Sequence, residues 1–211
     1  MEIVSTNLAT PKTIVWQGVK HQTGIYKNPT KDPVFLGQTG VNKDSVCDTR
    51  VHGGEFKACY IFSEDHYHYW KNLYPNLDWQ YGMFGENLTV KGLDESKLVI
   101  GDIYKVGNAL VQISQSREPC FKVAVKFESE AIIKQFIDYK SPGTYLRVLE
   151  EGTVQIGDTF QLIEKAENSL TTLDFYRQLF AKEKNQELIR RIINNPALPE
   201  KKQNQFKKFL L

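Results

Sequence analysis

The pattern of apolar and polar positions changes character once along the 211 residues. Before about residue 165, short apolar runs are cut by Gly, Pro and Asn, which predicts short strands joined by turns. Residues 12–19, 34–37 and 58–62 are runs of this kind. Residues 98–106 predict a strand pair around Gly101-Asp102, and Gly107-Asn108 turns the chain into a further strand over 109–113, as a hairpin. Residues 154–162 repeat the pattern at Gly157-Asp158. Two copies are too few for a solenoid and read more simply as similar turns of a barrel. Two helices interrupt the strands. Residues 63–73 carry Tyr67, Trp70 and Tyr74 at helical steps behind Ser63 as N-cap, and 129–139 set Ile132, Ile133, Phe136 and Ile137 on one face, again after a serine.

From Ser169 helical spacing takes over. Thr171-x-x-Asp174 fits a capping box ahead of Leu173, Tyr176 and Phe180. Leu188, Ile189, Ile192 and Ile193 mark a second amphipathic helix, stopped by Asn195-Pro196. Pro199 opens a third, carrying Phe206, Phe209 and Leu210. Helices this short need tertiary packing to persist. The expected organisation is a mainly β domain with some helix over residues 1–166 and a small three-helix annex over 167–211.

Composition narrows the function classes. Hydrophobic residues at 41% and aromatics at 12% support a packed core rather than disorder. A net charge of +2 gives no general case for nucleic-acid binding. The charge is uneven, with nine basic and five acidic residues from Glu167 onward against 18 and 20 before it. Cys47, Cys59 and Cys120 contain no C-x-x-C pair, so neither a disulfide framework nor a zinc ribbon is expected. No signal peptide or membrane-spanning run is evident, and a soluble cytoplasmic protein is expected. Neither G-x-G-x-x-G nor a Walker A motif occurs, and His66 and His68, two apart on an expected helix, face differently.

Cys120 carries the clearest candidate chemistry. Pro119 holds Glu118 extended, Arg117 favours thiolate, and Ser114 and Gln115 could donate hydrogen bonds. Cys120 reads as a soft metal ligand, a nucleophile, or merely a small buried hydrophobe. Cys59 lies in an apolar run and reads as core, and Cys47 lacks comparable neighbours. Val51-His52-Gly53-Gly54 is either a tight turn or a place of close backbone approach. Gly85-Glu86-Asn87 is either a turn before a strand or a set of amides for an anion.

Five ordered segments resemble the MOSC domain, the molybdenum cofactor sulfurase C-terminal domain. They are Val51-His52-Gly53-Gly54, Phe84-Gly85-Glu86-Asn87-Leu88, Ile100-Gly101-Asp102, residues 117–120, and Gly143-x-Tyr145-x-Arg147-Val148 before Gly152 and Gly157-Asp158. The tail is similar to the three-helix extension of the stand-alone bacterial members, the group of 6-hydroxylaminopurine reductase. The resemblance implies a closed β-barrel of the pyruvate-kinase type and a molybdenum–pterin cofactor with Cys120 as metal ligand. It also implies two-electron reduction of N-hydroxylated bases and amidoximes. Thr23-Gly24-Ile25-x-Lys27 resembles the family segment that contacts the cofactor, with Arg50, His52, Asn87 and Arg117 as further partners. The chain departs from the family in having Lys43-Asp44 where Gly-Asp is usual, and Ser116 where Pro is usual. Lys43 and the aromatic segment 79–84 are the residues expected to shape the substrate pocket. A carrier that stores or hands over the cofactor or its sulfur is the alternative reading.

A reductase of this kind needs electrons, and the chain has no flavin or dinucleotide fingerprint. Its three cysteines cannot build an iron–sulfur site with four thiolate ligands. A separate flavoprotein or ferredoxin-type donor follows, with the basic tail as a complementary face. The same charges equally suit helices that are merely solvated. The tail aromatics could pack on the same chain or on a second copy, leaving a homo-oligomer open.

Overall fold

The computed structural model describes residues 1–47 and 53–211. Strand β1 (Glu2–Leu8) is followed by the hairpin β2 (Lys12–Trp16) and β3 (Val19–Thr23), then by β4 (Asn28–Thr30), β5 (Val34–Gly37) and β6 (Gly40–Val41). Strand β7 (Cys59–Ser63) leads into helix α1 (Tyr67–Leu73), and β8 (Leu88–Lys91) precedes the hairpin β9 (Ile103–Val106) and β10 (Ala109–Ser116). Helices α2 (Phe121–Lys126) and α3 (Ala131–Tyr139) come next, then β11 (Thr144–Glu150), β12 (Gly152–Val154) and β13 (Gln161–Glu164). The chain closes with α4 (Thr172–Phe180), α5 (Gln186–Ile193) and α6 (Glu200–Lys207).

Eight strands form one sheet in the order β13-β9-β10-β11-β7-β8-β1-β4. Its pairs are antiparallel except β7 with β8. The sheet curls but does not close, which corrects the closed barrel expected from the sequence. The N-terminal end of β1 bonds to the turn ahead of β13: Ile3 N donates to Asp158 O at 2.9 Å and Gly157 N to Ile3 O at 2.8 Å. Among the described residues no ladder joins β13 to β4. Edge strand β4 is three residues long and contains Pro29, which has no N–H to extend a ladder. All four residues of β13 are exposed. Strands β5, β6 and β12 form a smaller sheet, and β2–β3 a separate ribbon.

Residues 107–108 form the expected hairpin turn between β9 and β10. Further upstream, Val99 makes only an isolated bridge to Thr171, so the first half of the expected strand pair is not a strand. Ser63 ends β7 and makes no cap; a 3-10 turn, Glu64–His66, intervenes before α1. Ser129 likewise does not cap α3, where Glu130 stands at the N-cap. Helix α2 has no signal in the sequence: its six residues are too few to display a period.

The apolar sides pack into two clusters. One lies inside the sheet and continues through Phe175, Ile189, Ile192 and Phe206, so the three final helices share its core. The other is aromatic, with Phe62, Trp70, Phe84, Phe127 and Phe136 between the sheet and helices α1 to α3. Phe62 and Phe84 stack at 4.1 Å. Thr171 caps α4, its hydroxyl accepting from Asp174 N at 3.0 Å. Asn185 caps α5 in the same way, at 3.1 Å from Leu188 N. Pro199 stands at the N-cap of α6. That helix ends at Lys207, leaving Phe209 and Leu210 beyond it and largely exposed, contrary to their expected place on its packed face. No helix among the described residues is long and apolar enough to cross a membrane.

Candidate functional site

Three stretches far apart in sequence converge beside the start of β7. The turn after β3 brings in Thr23, Gly24, Ile25 and Lys27; the turn before β8 brings in Phe84, Gly85 and Asn87; the end of β10 delivers Arg117 and Cys120. These residues line one cleft with Asp44, Cys47, Lys57, Lys122 and Tyr145. Seven residues expected to hold a cofactor therefore share a single cavity. Arg50 and His52, also expected there, lie outside the described residues.

Gly24 shows how closely the walls fit. A Cβ on it would stand 1.7 Å from the carbonyl oxygen of Ser45, so the segment 23–25 presses directly on the loop after β6. The approach that the sequence assigns to a cofactor is thus made at least in part by the protein's own backbone. Lys126 ties the other side, donating to Ile25 O at 3.0 Å and to Gly82 O at 2.8 Å. Burial, aided by the like charges of Arg117, Lys27 and Lys12 and opposed by Glu86, pulls the pKa of the Lys126 ammonium down to about 7.

The turn 82–87 is locked from within. Glu86 is fully buried and accepts from Gly82 N at 2.9 Å, Phe84 N at 3.1 Å and Thr89 Oγ1 at 2.9 Å, and also from the Tyr67 hydroxyl. Asn87 N donates to Tyr60 O at 2.8 Å, and its side-chain oxygen accepts from Tyr60 N at 3.2 Å. The amides of Gly82, Phe84 and Asn87 are engaged in the fold, and Gly85 N donates to Gly82 O at 3.0 Å. Of the two readings of this segment, the turn is what the geometry supplies. What faces the cleft is the Asn87 side chain, whose amide nitrogen donates to Asp44 Oδ2 at 2.9 Å.

Asp44 also accepts from Ala9 N at 2.9 Å and forms an ion pair with Lys27. Lys43, just before it, has φ +63°, in the left-handed region where glycine is favoured, which accounts physically for the Gly usual at this point. It does not line the cleft. Within the aromatic segment 79–84, only Phe84 does, while Trp79 packs against the aromatic cluster.

Arg117 is 6% exposed, yet no carboxylate among the described residues pairs with it. Its guanidinium lies over the Tyr60 ring at 5.1 Å and donates to the Tyr60 hydroxyl at 3.4 Å. The Tyr60 hydroxyl in turn donates to Pro142 O at 2.6 Å. Ser116, in place of the usual Pro, donates to Thr172 O at 2.7 Å and so anchors the approach to Cys120 on α4. Cys120 stands at the N-cap of α2 and is half-buried. Burial raises the Tyr145 hydroxyl to about 12, keeping it a hydrogen-bond donor. Cys47, to which the sequence gives no functional surroundings, is likewise half-buried and lines the same cleft. Sequence reasoning does not single out Tyr145 or Lys57 as site residues; the motif Gly143-x-Tyr145-x-Arg147 contains the signal for Tyr145.

The donor set decides what could be held here. Among the described residues no three His, Cys, Asp or Glu side chains cluster as ligands for a bare metal ion. The accessible thiol of Cys120, close in sequence to the buried cation Arg117, suits a metal that arrives already chelated by an anionic organic group and needs a protein ligand. The residues present fit a molybdenum–pterin cofactor in that respect.

A curled β-sheet with a cation-lined cleft and a cysteine at the end of a central strand is the class of protein that this geometry defines. Residues 48–161 match the sequence profile of the MOSC domain, and the chain belongs to the MOSC domain family. It is 36% identical over 198 residues to YflK of Bacillus subtilis (strain 168), covering 94% of this chain and 89% of that protein. It is 34% identical over 163 residues to a protein named Reductase from Gibberella moniliformis, covering 76% of this chain but 29% of that larger protein. The crystal structure of YiiM from Geobacillus stearothermophilus superposes with a TM-score of 0.83 at 33% identity, covering 100% of this chain and 99% of that one. The chain is a MOSC protein of the YiiM type.

Proposed function

We propose that the cleft holds a molybdenum–pterin cofactor and that the protein reduces N-hydroxylated compounds, with bases resembling 6-hydroxylaminopurine and amidoximes as the substrate class. The observation that carries this reading is the convergence of Thr23, Gly24, Ile25, Lys27, Asn87, Arg117 and Cys120 on one cavity. The fungal relative's name supports a reductase.

Cys120, which lines the cleft, would be the metal's protein ligand. Arg117 brings a buried positive charge held over the Tyr60 ring, suited to a phosphate or an anionic pterin edge. Lys27 and Asn87, both fixed by Asp44, would present a hydrogen-bonding floor. Thr23, Gly24 and Ile25 would contribute backbone along the cofactor's flank, and Thr23 Oγ1 already accepts from Ile25 N at 3.2 Å. Arg50 and His52 enter through the family resemblance alone. When bound, the cofactor supplies the two-electron redox step in which R–NHOH, two electrons and two protons give R–NH2 and water. Electrons would come from a separate flavoprotein or ferredoxin-type protein.

Protein made in a host that produces the cofactor is expected to carry one molybdenum per chain and to reduce 6-hydroxylaminopurine with a chemical electron donor. Cys120→Ser is expected to abolish both. Full activity in Cys120→Ser would remove the assigned ligand. Tight molybdenum binding without turnover of any N-hydroxylated compound would leave a carrier.

A further inference from the structure

A separate cavity of about 330 Å³ lies where the turn after β1, the segment after β3 and the end of α2 come together. Lys12, Tyr26, Lys27, Gln80 and Lys126 are among its walls, and it shares Lys27 with the cleft described above. Its volume falls at the low end of small-molecule pockets, about 300–1,000 Å³. Three of its lining residues are lysines and none is acidic.

The three lysines are not equivalent. Lys27 is neutralised by its ion pair with Asp44. Lys12 and Lys126 pair with no carboxylate among the described residues. Both lie over one ring instead, Lys12 Nζ at 4.0 Å and Lys126 Nζ at 5.5 Å from the centroid of Tyr26. The two hydrogen bonds of Lys126 go to the neutral carbonyls of Ile25 and Gly82, and an ammonium has a third N–H. The nearby carboxylates do not supply the missing charge. Glu86 is spent on the amides of Gly82 and Phe84, and Glu128, which helps raise the Tyr26 hydroxyl, does not line the cavity. The surplus of positive charge registers at Lys126, whose charged form is disfavoured first by burial and then also by Arg117, Lys27 and Lys12.

Two unmatched ammonium groups on one aromatic ring call for a ligand with about two negative charges. A carboxylate brings one. A phosphoryl group brings about −1.5 to −2 at neutral pH, with three strong acceptor oxygens. Burial, with Glu128, keeps the Tyr26 phenol protonated, so the cavity presents no competing anion of its own. We propose that this cavity binds the phosphoryl group of a small phosphate monoester or of inorganic phosphate, with Lys12 and Lys126 as its two counter-charges. The site stands apart from the reductase reading. It is tied to the cofactor cleft through Lys126, because that ammonium also holds the carbonyl of the cleft residue Ile25.

The experiment is calorimetric titration of protein from a cofactor-producing host with glycerol phosphate, inorganic phosphate and acetate. It is run near pH 8 in two buffers of different ionisation enthalpy. Wild type is expected to bind both phosphates, and acetate at least tenfold more weakly. A dianion beside Lys126 favours its charged form, so binding is expected to draw in roughly one proton per site. Tighter binding of glycerol phosphate would identify an organic monoester, and tighter binding of inorganic phosphate the free ion; either order upholds the site. Lys12→Glu, at an exposed position of the β2–β3 ribbon, is expected to weaken both phosphates about tenfold, the low end of what a hydrogen bond to a charged group contributes. Lys126→Met is expected to weaken them likewise and to abolish the proton uptake. Should Lys126→Met fail to fold, Lys12→Glu alone decides. No binding of either phosphate, acetate bound as tightly as phosphate, or binding without proton uptake would overturn the proposal. So would affinities unchanged in Lys12→Glu, the result expected if the anion sat in the cofactor cleft instead.

Discussion

Lys27 and Asp44 form an ion pair with side chains only 5% and 2% exposed, and Asn87 Nδ2 donates to the same carboxylate at 2.9 Å. Asp44 thus ties the segment after β3 to the turn before β8, and its other oxygen holds Ala9 N at 2.9 Å. Removing one member of such a pair leaves a buried charge uncompensated, which costs about 3–5 kcal/mol. Asp44→Ala is therefore expected to destabilise far more than the combined Lys27→Met, Asp44→Leu change, which removes both charges. Chemical denaturation of the two variants and wild type checks this. Equal losses in the two would mean that the pair's charge is not what matters.

Gly24 offers a sharper test of the cleft wall. Its missing Cβ is what lets the chain pass the Ser45 carbonyl, so Gly24→Ala must displace backbone rather than a flexible side chain. Overpacking of this sort costs about 1–3 kcal/mol. Gly24→Ala is expected to lower the melting temperature and to reduce molybdenum retention. Gly40→Ala is the control: the added methyl meets open space, so both readouts should stay near wild type. Equal effects of the two changes would show that the close approach at Ser45 is not what shapes the wall.

The residues of the cleft are marked in the sequence mostly by the family resemblance, which alone picks out Thr23-Gly24-Ile25-x-Lys27 and Asn87. Cys120 with Arg117 also carries a local chemical signal, a thiol close in sequence to a cation. The roles of Asp44 and Glu86 are marked by neither. Each acts through partners elsewhere on the chain, as Asp44 does with Ala9, Lys27 and Asn87, and no spacing rule reports such pairings. The tail helices are legible from their period and from Thr171-x-x-Asp174, which caps as expected. Helix α2 and the open edge of the sheet are not. The helix is too short for periodicity, and closure depends on whether two distant edges pair.

The three thiols should separate by reactivity. Cys59 is 1% exposed, and burial drives its thiol upward, whereas Cys47 and Cys120 are only half-buried. Intact-mass analysis after brief maleimide treatment of cofactor-free protein is expected to show two labels, with a third only on unfolding. Loading with cofactor should shield Cys120. Continued labelling of Cys120 in molybdenum-replete protein would argue against its role as the ligand.

Lys126 gives stability a definite pH dependence. The pKa of its folded ammonium is pulled from the ordinary value of 10.5 to about 7, with burial the main cause. Between these values the unfolded chain binds the extra proton and the folded chain does not, so stability rises with pH across this window. Below about 7 both states carry the proton and the full penalty of burying the charge remains. Denaturant midpoints measured across this window are expected to rise more steeply in wild type than in Lys126→Met. Parallel profiles would show that Lys126 is not the group responsible.

Electron delivery gives the last prediction. The tail carries the chain's excess of positive charge, but not all of it is available to a partner. Arg191 is held by Glu187 at 2.5 Å and by Ser169 Oγ at 2.6 Å, so reversing it would disturb α5 itself. Arg190, Lys207 and Lys208 are exposed. Because Lys201 and Lys202 on α6 line the groove beside Cys120, the basic helices reach toward the proposed metal ligand. An acidic flavoprotein or ferredoxin-type donor steered to this face would feel exposed charges screened over roughly 10 Å at about 0.1 M salt. Reversal of Arg190, Lys207 and Lys208 to Glu is expected to cut donor-dependent turnover several-fold at low salt and progressively less as salt rises. Turnover with a small uncharged dye as electron donor should stay near wild type. An equal loss with dye and protein donor, or no loss with either, would remove the tail from docking, since steering acts only on the charged partner.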